Sequence, residues 1–205
     1  MLNYVQVEKL YNADEFLRFI EVESQKTGHG NNRYELIDGY IYMMASPSLT
    51  HQRLARFIFE VFASYFKGKN CEVLFAPLDV FLFDKSRFIL FPIDSKDSCR
   101  NVFQPDIMVV CDKSILEENG VHGAPDLVIE IVSKSSSTLD YVIKLHNYIC
   151  FGVKEYWIIN PLTRQIMIYI VSGEDVLVSN YTFDDAVRSE MFESLCVDFK
   201  QFSTE

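Results

Sequence analysis

The sequence predicts an α/β (α+β) protein of one domain, on three observations. Amphipathic helical stretches alternate with short apolar strand stretches along the whole chain. The length of 205 residues against about 150 per domain favours one large domain, 1–205. Hydrophobic residues at 49% and charged residues at 23% are ordinary globular usage and exclude a disordered chain.

Each element follows from local pattern. Asn12 opens a helix: NADEFLRFIEVESQ has an N-cap, early acids and apolar residues at 16, 17, 19 and 20. The stretch GHGNN ends it, and RYELIDGYIYMM reads as a hairpin turning at Asp38-Gly39. Pro47-Ser48-Leu49-Thr50 starts a second helix with Leu54, Ile58, Val61 and Phe62 on one face. CEVLFAPLDVFLF and NVFQPDIMVVC read as two strands separated by a polar excursion over 84–100, and DLVIEIV as a third. The cap-rich SKSSST leads into the helix TLDYVIKLHNYICFG, stopped by Gly152. KEYWIIN and RQIMIYIV are further strands, with another expected over 176–183 and one near 195–199.

Bulk charge argues against a protein that holds nucleic acid by a global basic field. Nineteen Lys and Arg face 29 Asp and Glu, a net of −10. Residues 1–170 nevertheless carry 17 basic and 21 acidic side chains, and 171–205 carry 2 and 8, so most of the excess lies in the C-terminal segment. Five cysteines at 71, 99, 111, 150 and 196 are too far apart in sequence for a zinc knuckle or a CxxC pair and read as buried free thiols in a reducing compartment. No basic-then-apolar leader and no membrane-length apolar run is visible, which points to a cytoplasmic protein without membrane contact.

Two carboxylates stand where carboxylates are costly. In DLVIEIV, Leu127, Ile129 and Ile131 share one face while Glu130 lies with Val128 and Val132 on the other, in a strand apolar on both sides. Asp106 opens the equally apolar DIMVV. A buried ionised carboxylate costs several kcal/mol unless a cation or donors compensate it. Mg²⁺ is the simplest shared compensator, since hard oxygen ligands suit it; an ion pair with Arg or Lys is the alternative. In the following helix Asp140, Lys144 and Tyr148 are spaced i, i+4, i+8 along one side. Lys144 so placed either pairs with Asp140 at the surface or points back toward Glu130, where it offsets charge on a phosphate. Glu35, at the start of the hairpin, is a third carboxylate, although an exposed strand position is its commoner setting. His51, early in the second helix, reads as a cap or a satisfied histidine. GxSxG, HExxH and P-loop motifs are absent from the sequence.

YELIDGYIYMM, SPSLTH, QPDIMVV, GAPDLVIEIVSKSS, LDYVIKLHNY and GVKEYWIINP occur in that order. Together they resemble the Uma-two family of restriction endonucleases, over about residues 14–197. The resemblance implies a restriction-endonuclease-like core of the PD-(D/E)xK nuclease superfamily: a central mixed sheet flanked by helices, binding Mg²⁺ (or Mn²⁺) and hydrolysing the phosphodiester bonds of DNA. Pro105-Asp106 matches the PD element and Glu130 the second acid. The lysine expected two residues after Glu130 is missing, since Val132 stands there; Lys144 fits a lysine moved to the next helix, with Lys134 as second choice. Glu35 matches an additional N-terminal metal-site acid, and Ser133 with Ser135 the serine turn. The implied site is therefore Asp106, Glu130 and Lys144 in catalysis, with Glu35, Asp106 and Glu130 on the metal. A nuclease fold that binds nucleic acid or protein without turnover is the competing expectation. A homodimer is expected by analogy, with the apolar strands near 156–171 as an interface. Lys85, Arg87, Lys96 and Arg100 in the 84–100 excursion are the expected DNA-facing cations.

Overall fold

The computed structural model describes residues 9–27, 32–83, 99–133, 139–173 and 175–203. Helix α1 (Ala13–Thr27) is followed by the hairpin β1 (Arg33–Ile37) and β2 (Tyr40–Met44) and by helix α2 (Leu49–Phe66). Sequence caps start both helices. Asn12 Oδ1 accepts from Glu15 N–H while Glu15 Oε2 accepts from Asn12 N–H, and Ser48 Oγ accepts from His51 N–H. At the hairpin turn Asp38 and Gly39 both adopt positive φ, the pairing a two-residue turn demands.

The strands β3 (Glu72–Phe75), β4 (Val80–Leu82), β5 (Asn101–Phe103) and β6 (Ile107–Val110) come next. Each of the two long strands expected over 71–83 and 101–111 is thus divided, at segments containing Pro77 and Pro105. Proline has no N–H to give a ladder, and at both breaks the chain passes from one sheet to the other. The short hairpin β7 (Leu116–Glu117) and β8 (Gly120–His122), which sequence pattern does not predict, precedes β9 (Leu127–Ile131). A π-helical turn (Leu139–Lys144) runs into helix α3 (Leu145–Phe151), which Gly152 ends at φ 99°. Strands β10 (Glu155–Asn160), β11 (Gln165–Ser172), β12 (Asp175–Thr182), β13 (Ala186–Arg188) and β14 (Cys196–Asp198) complete the order.

These strands form two six-stranded mixed sheets and a small two-stranded one. The first sheet runs β2-β1-β5-β4-β8-β7, the second β12-β11-β10-β9-β6-β3, and β13 pairs with β14. In the second sheet β9 lies parallel to β10 and antiparallel to β6. The expected class, a mixed sheet flanked by helices, is found, with the strands divided between two mixed sheets rather than gathered in one. Alternation decides the layers. Tyr34 and Leu36 of β1 pack with Phe16 of α1, whereas Ile37 joins an inner cluster with Phe103, Met108, Val128, Tyr148 and Tyr156. On the far face of the second sheet, Ile107, Val109, Leu127, Ile129 and Trp157 meet Leu54, Ile58 and Phe62 of α2. Every residue of β9 is buried, as a strand apolar on both faces requires.

One expectation is corrected here. The cysteines are not all free: Cys71 and Cys111 form a disulfide, while Cys99, Cys150 and Cys196 remain thiols, Cys150 exposed. The β3–β6 register pairs Glu72 with Val110, so one step further Cys71 falls opposite Cys111, a proximity that sequence spacing does not reveal. Of the strands over 156–171, expected as a dimer interface, β11 keeps Met167, Tyr169, Ile170 and Val171 half-buried. β10 lies between β9 and β11 with five of its six residues buried. Exposed apolar side chains, Val176, Leu177 and Val178, occur on the neighbouring β12 at the sheet edge. No helix among the described residues is long and apolar enough to cross a membrane.

Candidate active site

The residues of interest meet where the chain crosses between the sheets. Asp106 follows the Gln104-Pro105 crossover and precedes β6. The β6–β9 register pairs Ile107 with Ile129 and Met108 with Val128; one step further, Asp106 stands opposite Glu130. Glu35 comes from the first sheet, on the inner face of β1 with Ile37. The carboxylates that sequence alone set on unrelated segments are therefore brought toward each other, two from one sheet and one from the other.

Lys144 joins them. Its Nζ donates to Glu35 Oε1 and to Glu130 Oε1, both at 2.9 Å, and lies 3.8 Å from Asp140 Oδ1. Glu35 is 0% exposed, Lys144 1% and Glu130 4%, so these charges interact in a poorly solvated interior. The lysine ends the π-helical turn, a local widening that is frequent at functional sites. Tyr148 lies one turn on, and its hydroxyl donates to Glu130 Oε1 at 2.9 Å. Asp140, Lys144 and Tyr148 thus lie along one side as their spacing implied, and that side is buried.

The electrostatics follow from burial. Loss of water pushes the Glu130 carboxyl well above the usual carboxylate range, with Lys144 opposing and Asp106, Asp140 and Glu35 adding to the rise. Burial works against the Lys144 ammonium, but Glu130, Glu35 and Asp140 outweigh it and hold it firmly cationic. The phenols of Tyr148 and Tyr156 are pushed well above their ordinary value by burial and by Glu130.

Further groups border these acids. His51, read as a cap or satisfied histidine, projects from the first turn of α2, and its Nε2 donates to Asp106 Oδ2 at 3.1 Å. Its Nδ1 is buried without a partner among the described residues. Burial disfavours the imidazolium, yet the adjacent Asp106 carboxylate prevails and His51 titrates above its usual value. Asp106 Oδ2 also accepts from Ile131 N–H at 2.8 Å. Gln104 binds in three directions: its N–H donates to Glu35 Oε1, its Nε2 to Asp79 Oδ1, and its Oε1 accepts from Arg33 Nε. Burial raises the Asp79 carboxyl, and Gln104 opposes the rise. The QPD of the crossover and the arginine before YELIDG were the available signals. A glutamine or an arginine carries no burial anomaly in sequence, so they drew no notice.

Lys134, Ser135, Lys85, Arg87 and Lys96 lie outside the described residues; Arg100 is described and exposed. Three carboxylates are a hard-oxygen donor set of the kind Mg²⁺ takes. Hydrogen bonds from the described residues fall on one oxygen of each: Glu35 Oε1, Glu130 Oε1 and Asp106 Oδ2. Glu35 Oε2 is buried with no partner among the described residues, an atom whose chemistry fits a cation. Among the described residues no group of three His, Cys, Asp or Glu is already arranged around one point as a metal cluster, and the Lys144 ammonium bridges two of the donors.

Comparison with known proteins bears on family and fold. The family described as "Uma2: Putative restriction endonuclease" matches residues 13–199. An uncharacterised protein of Synechocystis sp., slr1290, is 23% identical over 182 residues, which cover 86% of this chain and 83% of that protein. A crystal structure titled as a "putative nuclease" of DUF820 from Anabaena variabilis is similar in fold. Its TM-score is 0.67 at 22% identity, covering 92% of this chain and 95% of that one.

Proposed function

Since the chain belongs to the Uma2 restriction endonuclease family, we propose that it is a divalent-metal-dependent endodeoxyribonuclease acting on the phosphodiester bonds of DNA. The observation that supports this reading is a buried lysine that joins Glu35 of one sheet to Glu130 of the other, with Asp106 opposite Glu130 in the strand register. Asp106, Glu130 and Glu35 would hold Mg²⁺, with Mn²⁺ able to replace it. Bound there, the cation supplies Lewis-acid polarisation of the phosphate and a lowered pKa for the attacking water.

The protein's own groups do the rest. Lys144 fixes the spacing of Glu35 and Glu130 through its two 2.9 Å hydrogen bonds. Its charge offsets the negative charge that builds on the phosphoryl oxygens as water adds to phosphorus and the ester P–O bond breaks. His51 and the Ile131 N–H both hold Asp106 Oδ2, which fixes the orientation of that carboxylate. The reaction is a single in-line displacement with no covalent enzyme intermediate. A C2 dimer suits cleavage of both strands.

The test is cleavage of plasmid DNA with Mg²⁺ or Mn²⁺ by the wild type and by Asp106→Asn and Glu130→Gln, alongside calorimetric titration of the metal. Loss of at least a hundredfold in rate with an unchanged melting profile supports the assignment; retained activity in either variant overturns it. The competing reading, a nuclease fold without turnover, draws on the Lys144 bridge, which already neutralises part of the acidic site. Metal binding with no cleavage by the wild type would select it.

A further inference from the structure

An acidic site that receives a polyanion needs, besides the charge that Lys144 offsets from within, a more exposed cation to seat the phosphodiester before it reacts. Lys144 is 1% exposed and committed to Glu35, Glu130 and Asp140. Arg33 has the complementary properties. It is the first residue of β1 and half-buried. Two positions before Glu35 on the same strand, it shares Glu35's face at a backbone separation of roughly 7 Å. Gln104 fixes it: Gln104 Oε1 accepts from Arg33 Nε at 2.9 Å, while the N–H of the same Gln104 donates to Glu35 Oε1 at 2.9 Å. One residue therefore ties the guanidinium to the candidate metal-site carboxylate.

Only the Nε of that guanidinium is used by a hydrogen bond within the described residues, and it forms no ion pair there within 4 Å, although its charge is felt at both Asp79 and His51. An arginine set near Glu35 and Asp79 and bound to neither keeps its two terminal nitrogens for something else. Held at Nε by an amide, the fork is pre-oriented, and its remaining N–H groups match two oxygens of a phosphate.

We infer that Arg33, anchored by Gln104, is a phosphate-binding residue that seats a DNA phosphodiester beside Glu35. The inference rests on the nuclease reading for the identity of the substrate, and the experiment separates the two. A short fluorescein-labelled duplex is titrated with wild type, Arg33→Ala and Arg33→Lys, with Ca²⁺ in place of Mg²⁺, over a series of salt concentrations. Plasmid cleavage is followed in parallel with Mg²⁺. Arg33→Ala is expected to bind at least about tenfold more weakly and to lower the salt slope by about 1, with KM rising more than kcat falls. Arg33→Lys, which keeps the charge and loses the fork, falls between. A structural role alone leaves the salt slope unchanged. Wild-type affinity and slope in Arg33→Ala overturn the inference and leave the nuclease reading standing. If the wild type neither binds nor cleaves DNA, the nuclease reading fails, and thermal protection by inorganic phosphate decides the site. Protection of the wild type but not of Arg33→Ala upholds it, and equal or absent protection overturns it. Should Arg33→Ala not fold, Arg33→Gln, which removes the charge and keeps much of the side chain, supplies the salt slope and KM that decide between the same two outcomes.

Discussion

Lys144→Met is the most informative single change, because it removes charge while keeping most of the side-chain volume. In the wild type one ammonium, 1% exposed, serves Glu35 and Glu130 at 2.9 Å and Asp140 at 3.8 Å. Three acids share one cation, so the cluster already carries excess negative charge, and burial already raises Glu130 well above its ordinary range. Removing one partner of a buried pair costs about 3–5 kcal/mol. For a protein of this size that corresponds to a fall in Tm of roughly 6–20 °C. Urea unfolding at neutral pH gives the value directly. Two companion measurements bind it to the mechanism. Glu130→Gln added to Lys144→Met removes one stranded acid and should recover part of the loss, and lowering the pH toward 5 should shrink the deficit as the acids take up protons. A Lys144→Met protein within about 1 kcal/mol of wild type, unaffected by either change, would refute the claim that this ammonium compensates the buried acids.

Three further outcomes follow from the geometry. His51 titrates above its ordinary value, so its contribution is fully present below about 6.5 and is lost as pH rises through the folded value. The melting temperature of wild type minus that of His51→Gln should therefore decline between mildly acidic and alkaline pH, and a constant difference contradicts it. Glu155, 0% exposed, accepts from Trp157 Nε1, Ser189 Oγ and Met191 N–H. Glu155→Ala strands three donors at about 1–3 kcal/mol each before relaxation, so urea unfolding should show a loss of about 3 kcal/mol or more, with Glu155→Gln milder. Gly120 adopts φ +146°, and a Cβ there would lie 2.4 Å from Asp79 O. Gly120→Ala should cost more than about 1 kcal/mol by thermal melting; a neutral result would mean the 79–80 backbone yields freely.

Much of this was readable from residue order. Asp106 and Glu130 announced themselves as charges in apolar strands, and parity within DLVIEIV placed Glu130 on the face opposite Leu127, Ile129 and Ile131, as found. The 140–144–148 spacing also survived as a single buried side, despite the π-helical turn. What sequence withheld depends on register between distant strands. Nothing local says that 71 faces 111, or that two apparently continuous strands divide at Pro77 and Pro105 to serve different sheets. His51 and Gln104 were hidden for another reason: a histidine in a first helical turn and a glutamine before a proline are unremarkable until the acids they bind are in place. Glu35 lay between these cases, since its commoner setting is exposed, and only the second sheet explains its burial.

The Lys144–Glu35 contact spans 109 residues of chain, and this distance orders the birth of the site. A ribosome delivers Glu35, then Asp106, then Glu130, and the cation last. Until the stretch ending at Lys144 has emerged and docked, Glu35 and Glu130 lack the ammonium that compensates their burial, and closing so large a loop is slow compared with forming the β1–β2 hairpin. The latch between Glu35 of the first sheet and Glu130 of the second, a single ammonium, is therefore set late. A chain stopped before residue 139 carries the three acids without that latch, so the proposed activity is withheld from unfinished product and appears only when the fold is nearly complete.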